Sequence, residues 1–473
     1  MPHRILIIVL DGLRPEQVSQ RTTPAIAAVA RRGVTFANHH CCFPSVTRTN
    51  SASLATGCHP GVHGLVDNEL HLPAVRPDGP VNTGDFRQLE EVDRASGGRL
   101  LDAPSLSEIF GRSGRGVAMA SSCSTGSCLL QNHRRCGFTC NTGLILPVDR
   151  TEMIRSRFGP VPAEGKPNTG RNAYAAAVMT DYILPELAPE LAIVWLSDPD
   201  HTQHSLGIGS AESLRAVREV DGMIGRILGA LERLGRADET DVFVLSDHGY
   251  ISYDRSEVAL RADMVAAGLK EAPGSDDVKV IGAGVYLHPD RKDLLPGIVR
   301  FLQRHRAVGS IFTRRPVEGS LPISLVAGEH KRTPDILFAR RWSDEPNEFG
   351  FAGISPGGIA ASHGGSSPWE MRPVMVAAGP GIRSGIVTDV PSGNIDLLPT
   401  ALALAGLESA FTPSGRVLTE ALADTPASPP AATVQTHTAE SALPTGHYRQ
   451  SAQLATVGNT FYLLHAGGGF ESP

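Results

Sequence analysis

The chain has 473 residues, a net charge of −6, 41% hydrophobic residues, 50 glycines and 35 prolines. That length exceeds one ordinary core and suits a large α/β protein that carries insertions on a single sheet. The acidic balance gives no basis for a nucleic-acid-binding surface or an anionic membrane as partner, and no segment approaches the length of a membrane span.

Met1-Pro2-His3-Arg4 precedes only the short apolar run from Ile5 to Leu10, which lacks the length and the small-residue cleavage site of a secretion signal. With seven cysteines, an odd number, this predicts a reducing, cytoplasmic setting. Arg4 to Leu10 reads as a buried first strand that delivers Asp11 to its carboxyl end, where open α/β sheets place their ligands. Thr23 and Pro24 then open a helix with Ile26, Val29 and Ala30 inward and Gly33 just past its end. Val34 to Ala37 leads into the stretch from Cys42 to Asn68. There Pro44 fixes an extended approach, and Thr47 falls at the N-terminus of a short helix that stops at Thr56-Gly57. Free backbone N–H groups at such a terminus favour an anion, so a hydroxyl among them is a candidate attacking group for an anionic ester. A capped loop would read the same way.

Residues 69–104 are polar and weakly periodic, as expected of a surface excursion. Ser105 to Arg112 reads as a helix and Gly116 to Ser121 as a strand. Cys123, Cys128, Cys136 and Cys140 cluster without a close Cys-x-x-Cys pair, a weak signal for a structural metal site. After a helix from Arg171 to Leu184, the apolar strand Leu191 to Leu196 opens into Asp200 and His204. A helix with Leu214, Val217, Val220, Ile224, Ile227 and Leu231 on one stripe follows, and the strand from Asp241 runs straight into Asp247-His248-Gly249. Residues 251–354 read as an inserted cap, with helices Glu257 to Gly268 and Leu294 to His305 and strands Val278 to Leu287 and Asp335 to Ala339. The core resumes at Ser362-His363-Gly364 and closes with the helix Asp396 to Ala405. The Pro/Ala/Ser/Thr-rich residues 423–446 read as a linker, and 447–473 as a hairpin turning at Gly458-Asn459. The expected fold is therefore α/β: a mostly parallel central sheet with helices on both faces, built from 1–250 and 355–422.

Asp11, Asp200 with His204, Asp247-His248 and His363 all stand at strand ends or beside glycine. Carboxylate and imidazole without thiolate suit a divalent ion such as zinc or manganese. Counting Thr47 the donors number seven, too many for one tetrahedral ion, so two ions are expected. Such a pair is what in-line displacement at phosphorus uses.

Asp11-Gly12, Thr47 followed by Thr56-Gly57, Pro60 and His63-Gly64, Pro199-Asp200 with His204, Ser246-Asp247-His248-Gly249 and Ser362-His363-Gly364 resemble the alkaline phosphatase superfamily, in its nucleotide pyrophosphatase/phosphodiesterase branch. The resemblance implies that Asp11, Thr47, Asp247 and His248 hold one ion, zinc in the first place and manganese as a substitute, and that Asp200, His204 and His363 hold the other. It implies Thr47 as nucleophile, through a phospho-threonine intermediate, and Asn68 with the backbone N–H of Thr47 or Arg48 as the phosphate clamp. Asn50, the nearer asparagine, reads as a loop hydrogen-bonder. The implied substrate is a small phosphodiester or nucleotide pyrophosphate. Two relatives compete. Cys42-Phe43-Pro44-Ser45 resembles the start of the sulfatase signature, but Thr47 and not Cys42 stands at the nucleophile's distance from Thr56, and Val46 replaces the signature arginine. Phosphonoacetate hydrolase shares the donor set, yet its carboxylate-binding lysines are replaced by Ser122, Cys123 and Ser124, with His133, Arg134 and Arg135 as the only substitutes nearby. A binding protein that kept this fold without turnover is the remaining reading, which an intact Thr47 and a full donor set oppose. Oligomeric state leaves no mark in the sequence.

Overall fold

Strand Arg4–Leu10 divides its side chains as a two-sided sheet demands: Leu6, Ile8 and Leu10 enter one core, while Ile5, Ile7 and Val9 enter the other. All six are 3% exposed or less, and each such burial contributes about 1.5–3 kcal/mol, which fixes this strand at the centre. The computed structural model describes residues 3–326, 328–425 and 428–471. Its main sheet has nine strands in the order Ile386–Thr388, Val34–Phe36, Met375–Ala378, Thr240–Leu245, Arg4–Leu10, Leu191–Leu196, Val117–Ser121, Phe138–Asn141 and Leu144–Leu146. All run one way except Met375–Ala378 and Leu144–Leu146.

Register explains why the site forms where it does. Leu10 pairs with Leu196 and Val9 with Leu245, so three adjacent strands end level and their following loops leave from one edge. Helices Pro24–Arg32, Thr169–Val178 and Ala211–Arg233 cover one face, and helices Thr47–Thr56, Leu106–Arg112 and Leu397–Ala405 cover the other.

Several local expectations change. Thr23 does not cap the first helix; its hydroxyl donates to the Ser19 carbonyl at 3.0 Å. The N–H groups of Ala25 and Ile26 donate instead to Asp221 of the long helix, at 3.0 and 2.9 Å. A carboxylate from a neighbouring element satisfies the donors and meets the positive helix end together. Residues 69–104 are more than an excursion. Asp85 caps the helix Phe86–Ala95 by accepting from the Arg87 N–H at 2.9 Å, and Leu89 and Val92 pack against Leu65 and Leu130.

Within 251–354 a five-stranded sheet runs Val278–Ile281, Gly284–Leu287, Ile336–Arg340, Val308–Thr313 and Leu321–Pro322. The single strand expected from Val278 to Leu287 is thus a hairpin. Gly282 turns it with φ +54, and a Cβ there would lie 2.3 Å from the Asp67 carboxylate. The expected linker 423–446 contains the strand Ala432–Leu443, paired residue for residue with Gly446–Val457 and followed by Thr460–Glu471. It is an edge strand, mostly exposed, and its Thr-Val-Gln-Thr-His-Thr stretch lacks the apolar alternation that marks a half-buried strand. Among the described residues no helix is long and apolar enough to cross a membrane.

Candidate active site

Thr47 opens the ten-residue helix Thr47–Thr56, in which every residue except Arg48 is buried. Small side chains make this possible. Ser51 donates to the Ser127 carbonyl at 3.1 Å and Thr56 to the Ala52 carbonyl at 2.7 Å, so the helix sinks into the core with most of its hydroxyls paired, Thr49 excepted. Gly57, in the left-handed conformation, ends it. The preceding loop is clamped by Asn50: its Oδ1 accepts from the Cys42 N–H at 2.7 Å, and its Nδ2 donates to the Cys42 carbonyl at 3.0 Å.

The Thr47 hydroxyl lies 3.1 Å from His248 Nε2. That nitrogen in turn lies 3.1 Å from Asp247 Oδ2 and 3.4 Å from Asp11 Oδ1. Asp200 Oδ1 lies 3.2 Å from His204 Nε2, one helical turn on, and 3.3 Å from His363 Nε2. The rings of His248 and His363 stack with centroids 3.7 Å apart. All the side chains expected at the metal centre therefore converge. Two groups have ligand atoms mutually within 4.8 Å: Asp11, Asp247 and His248, and Asp200, His248 and His363. His248 borders both.

Each carboxylate is half occupied. Asp11 Oδ2 accepts from Trp195 Nε1 at 3.2 Å and from the Cys123 thiol at 3.5 Å. Asp247 Oδ1 accepts from the Gly12 N–H at 3.2 Å. The other oxygens, Asp11 Oδ1 and Asp247 Oδ2, are buried without a hydrogen-bond partner, as is Asp200 Oδ1. The histidines are oriented to match. His248 Nδ1 donates to the Gly249 carbonyl and His363 Nδ1 to the Ser45 carbonyl, both at 2.9 Å, which leaves each Nε2 as a lone pair facing a carboxylate oxygen. Acceptors face acceptors here, an arrangement that a cation between them resolves. Gly12 is required at this edge: its φ is +71, and a Cβ would stand 2.9 Å from the Tyr250 ring and 3.1 Å from Asp200 Cβ.

The electrostatics carry the same signature. Burial, then Asp247 and Asp200, push the Asp11 carboxyl well above its ordinary range, and burial with Asp200 does the same to Asp247. Burial also penalises Asp200, but His204 and His363 outweigh it and hold that carboxyl low. His204 is raised because Asp200 overcomes its burial, whereas burial keeps His248 and His363 neutral. Buried carboxylates beside neutral imidazoles, with oxygens left free, fit a pair of divalent cations.

Asn68 stands beside Thr47, its Oδ1 accepting from the Arg48 N–H at 3.0 Å. Arg48's N–H is thus committed to Asn68, and of the two backbone donors expected at the phosphate only that of Thr47 remains. Cys42 is buried 3.7 Å from His59 Nδ1, with its thiol pushed up to about 12 by burial, and it belongs to neither ligand group. Arg134 pairs with Glu108 and Arg135 with Glu90, and His133 is buried and held at about 4 by burial, so none of the three stands as a free cation in place of carboxylate-binding lysines. The clustered cysteines form no metal group among the described residues; Cys128 packs on Met119 and Cys136 against Gly111. Sequence reasoning missed Trp195 and Cys123. A tryptophan in an otherwise aliphatic strand was the available signal.

A level sheet edge that focuses carboxylates, imidazoles and one hydroxyl on a single point defines the alkaline phosphatase-like class. Within that class, the chain belongs to the type I phosphodiesterase / nucleotide pyrophosphatase family, whose model matches residues 5–338. The human ectonucleotide pyrophosphatase/phosphodiesterase family member 1 is 24% identical over 247 residues, 52% of this chain and 23% of that protein. Human family member 7 is 24% identical over 253 residues, 54% of this chain and 49% of that protein. The matched stretch thus spans less than half the length of either relative. Among solved structures, murine ectonucleotide pyrophosphatase/phosphodiesterase 5, an inactive threonine-to-alanine form in complex with AMP, superposes with a TM-score of 0.62 at 17% identity, covering 88% of this chain and 97% of that one. The human form gives 0.63 at 16% identity, covering 89% and 100%. Identities this low speak for the fold.

Proposed function

We propose that this chain is a two-metal hydrolase that cleaves a phosphodiester or a nucleotide pyrophosphate bond, with Thr47 as the attacking group. The observation that carries the reading is the Thr47 hydroxyl, 3.1 Å from His248 Nε2 and beside buried carboxylate oxygens that have no hydrogen-bond partner among the described residues. Asp11, Thr47, Asp247 and His248 would hold one divalent ion, and Asp200, His204 and His363 the other, with zinc or manganese suited to the donors. Bound there, the pair would supply charge stabilisation at phosphorus and a lowered hydroxyl pKa. The protein's own part is placement. The buried helix fixes Thr47, the Nδ1–carbonyl contacts fix the rings, and Asn68 Nδ2 with the Thr47 N–H would receive the non-bridging oxygens. Membership of the family and the AMP bound to the murine structural neighbour support a nucleotide among the substrates. All seven cysteines are free thiols, which supports a reducing cytoplasm as the setting.

The test is hydrolysis of bis(4-nitrophenyl) phosphate by the metal-loaded protein and its Thr47→Ala variant. The variant should keep its metal content and lose turnover by roughly a thousandfold or more. Near-normal turnover in the variant would remove Thr47 from the reaction. Absence of diester hydrolysis in the loaded wild type would remove the enzyme reading.

A further inference from the structure

A cavity of about 630 Å³ lies between the sheet of residues 251–354 and the catalytic edge, a size that holds a small organic molecule. His363, Gly364 and Val46 line its inner end, and Val46 immediately precedes Thr47, so the cavity adjoins the reacting centre. Val258, Leu260, Val280, Val308 and Phe338 give it apolar walls. Set among them are two guanidinium groups, Arg261 and Arg340.

Neither arginine has an anionic partner among the described residues. Arg261 donates Nε and Nη2 to the Val280 carbonyl at 3.1 and 2.8 Å. Half-buried Arg340 donates Nη1 to the Pro356 carbonyl at 2.9 Å and lies 5.3 Å from the centre of the Tyr253 ring. The acids nearby are engaged elsewhere. Asp67 accepts from the Asn68 and Ala283 N–H groups at 2.6 and 3.0 Å. Glu370 accepts from the Gly365 N–H at 2.7 Å and the Ser367 hydroxyl at 2.6 Å. His305, also in the lining, is partnered by Asp263 at 3.1 Å. A cation against an aromatic face and apolar walls, with no ion-pair partner among the described residues, is a receptor for an anion brought in by the ligand.

We propose that this cavity binds one of the groups esterified to phosphorus, and that this group is an organic anion: an aromatic or acyl body against Phe338, Val280 and Val308, with its own carboxylate or phosphate at Arg340 and Arg261. The inference rests on the phosphodiesterase reading above and narrows its substrate class. Arg340 and Arg261 are specificity-determining residues that touch neither the ions nor phosphorus.

Two measurements test it. In the first, kcat/KM is compared for bis(4-carboxyphenyl) phosphate and bis(4-methoxycarbonylphenyl) phosphate, which keeps the diester anion and loses only the carboxylate charges. Arg340→Ala should lose about tenfold or more on the carboxylate diester, mainly through KM, and change the methyl ester less than about twofold. Arg261→Ala should act in the same direction, and Arg340→Lys should recover part of the loss. Equal losses on both diesters, or none on either, would overturn the proposal. In the second, calorimetry measures binding of 4-carboxyphenyl phosphate and 1,4-phenylene bisphosphate without turnover. Binding that weakens by about tenfold in Arg340→Ala supports the site, and the tighter ligand shows whether carboxylate or phosphate is preferred. Unchanged binding of both ligands would overturn it. If the loaded wild type cleaves neither diester, the phosphodiesterase reading fails, and the binding measurement still decides the cavity on its own.

Discussion

Asp247→Asn should change thermal stability in opposite directions with and without metal. Without metal, Asp247 Oδ2 and Asp11 Oδ1 are buried, unpartnered, and in a group whose ligand atoms lie within 4.8 Å of one another. Two unit charges at that separation repel by about 3 kcal/mol at an effective dielectric constant of about 20. Proton uptake relieves part of this, because burial and the neighbouring carboxylates raise both groups. An asparagine keeps an oxygen for the Gly12 N–H and turns an amide donor towards Asp11, so the metal-free variant should gain about 1–3 kcal/mol, or roughly 1–3 °C for a chain of this length. With metal, the same change removes a charged ligand, and a hundredfold weaker affinity costs about 3 kcal/mol of linked stability. Calorimetric melts in mildly alkaline buffer, with chelator and with excess zinc, measure both signs. A variant that melts lower in both conditions, or higher in both, would refute the idea that these oxygens await a cation.

Trp195→Phe removes the hydrogen bond that orients Asp11, and it should weaken metal retention about 10–100-fold in a chelator titration and, by the same linkage, lower the stability of the loaded protein by about 1–3 kcal/mol. Cys42→Ala should leave diester turnover within about twofold, since the thiol belongs to neither ligand group; a loss matching that of Thr47→Ala would revive a sulfatase-like reading. Acid should unfold the protein readily. Burial holds His39, His59 and His133 near 4 and His40 and His63 near 3, against an ordinary 6.5, so the stability they contribute is full above pH 6.5 and is lost as pH falls towards their folded values. Asp67 and Asp396, raised by burial to about 6, act in the opposite sense. Of these seven groups, five lose stability on acidification and two gain it, each by at most about 1.4 kcal/mol per pH unit. Urea titrations between pH 7 and 5 check this, and stability that stays flat or rises on acidification would contradict it.

The candidate donors Asp11, Asp200 and Asp247 were legible because each lies at or just beyond the end of an apolar strand, and a parallel sheet brings strand ends to one edge whatever lies between them. Asp11, Asp200 and Asp247 needed only the register of three strands. Contacts that cross the fold left no local trace. Asp221 caps a helix nearly two hundred residues earlier in the chain, and Asp67 holds the turn at Ala283. The edge strand Ala432–Leu443 escaped for a different reason: exposed on most positions, it has no hydrophobic rhythm and owes its conformation to the backbone ladder with Gly446–Val457.

His363 lies beyond residue 338, where the family match ends, yet its ring stacks on that of His248 with centroids 3.7 Å apart. A truncated polypeptide covering only the matched stretch would retain Thr47 and most donors and still lack one wall of the pocket. On the proposed reading, competence for hydrolysis would arrive only after the chain has returned from its long detour, and a copy ending at residue 338 would lack His363 and turn nothing over.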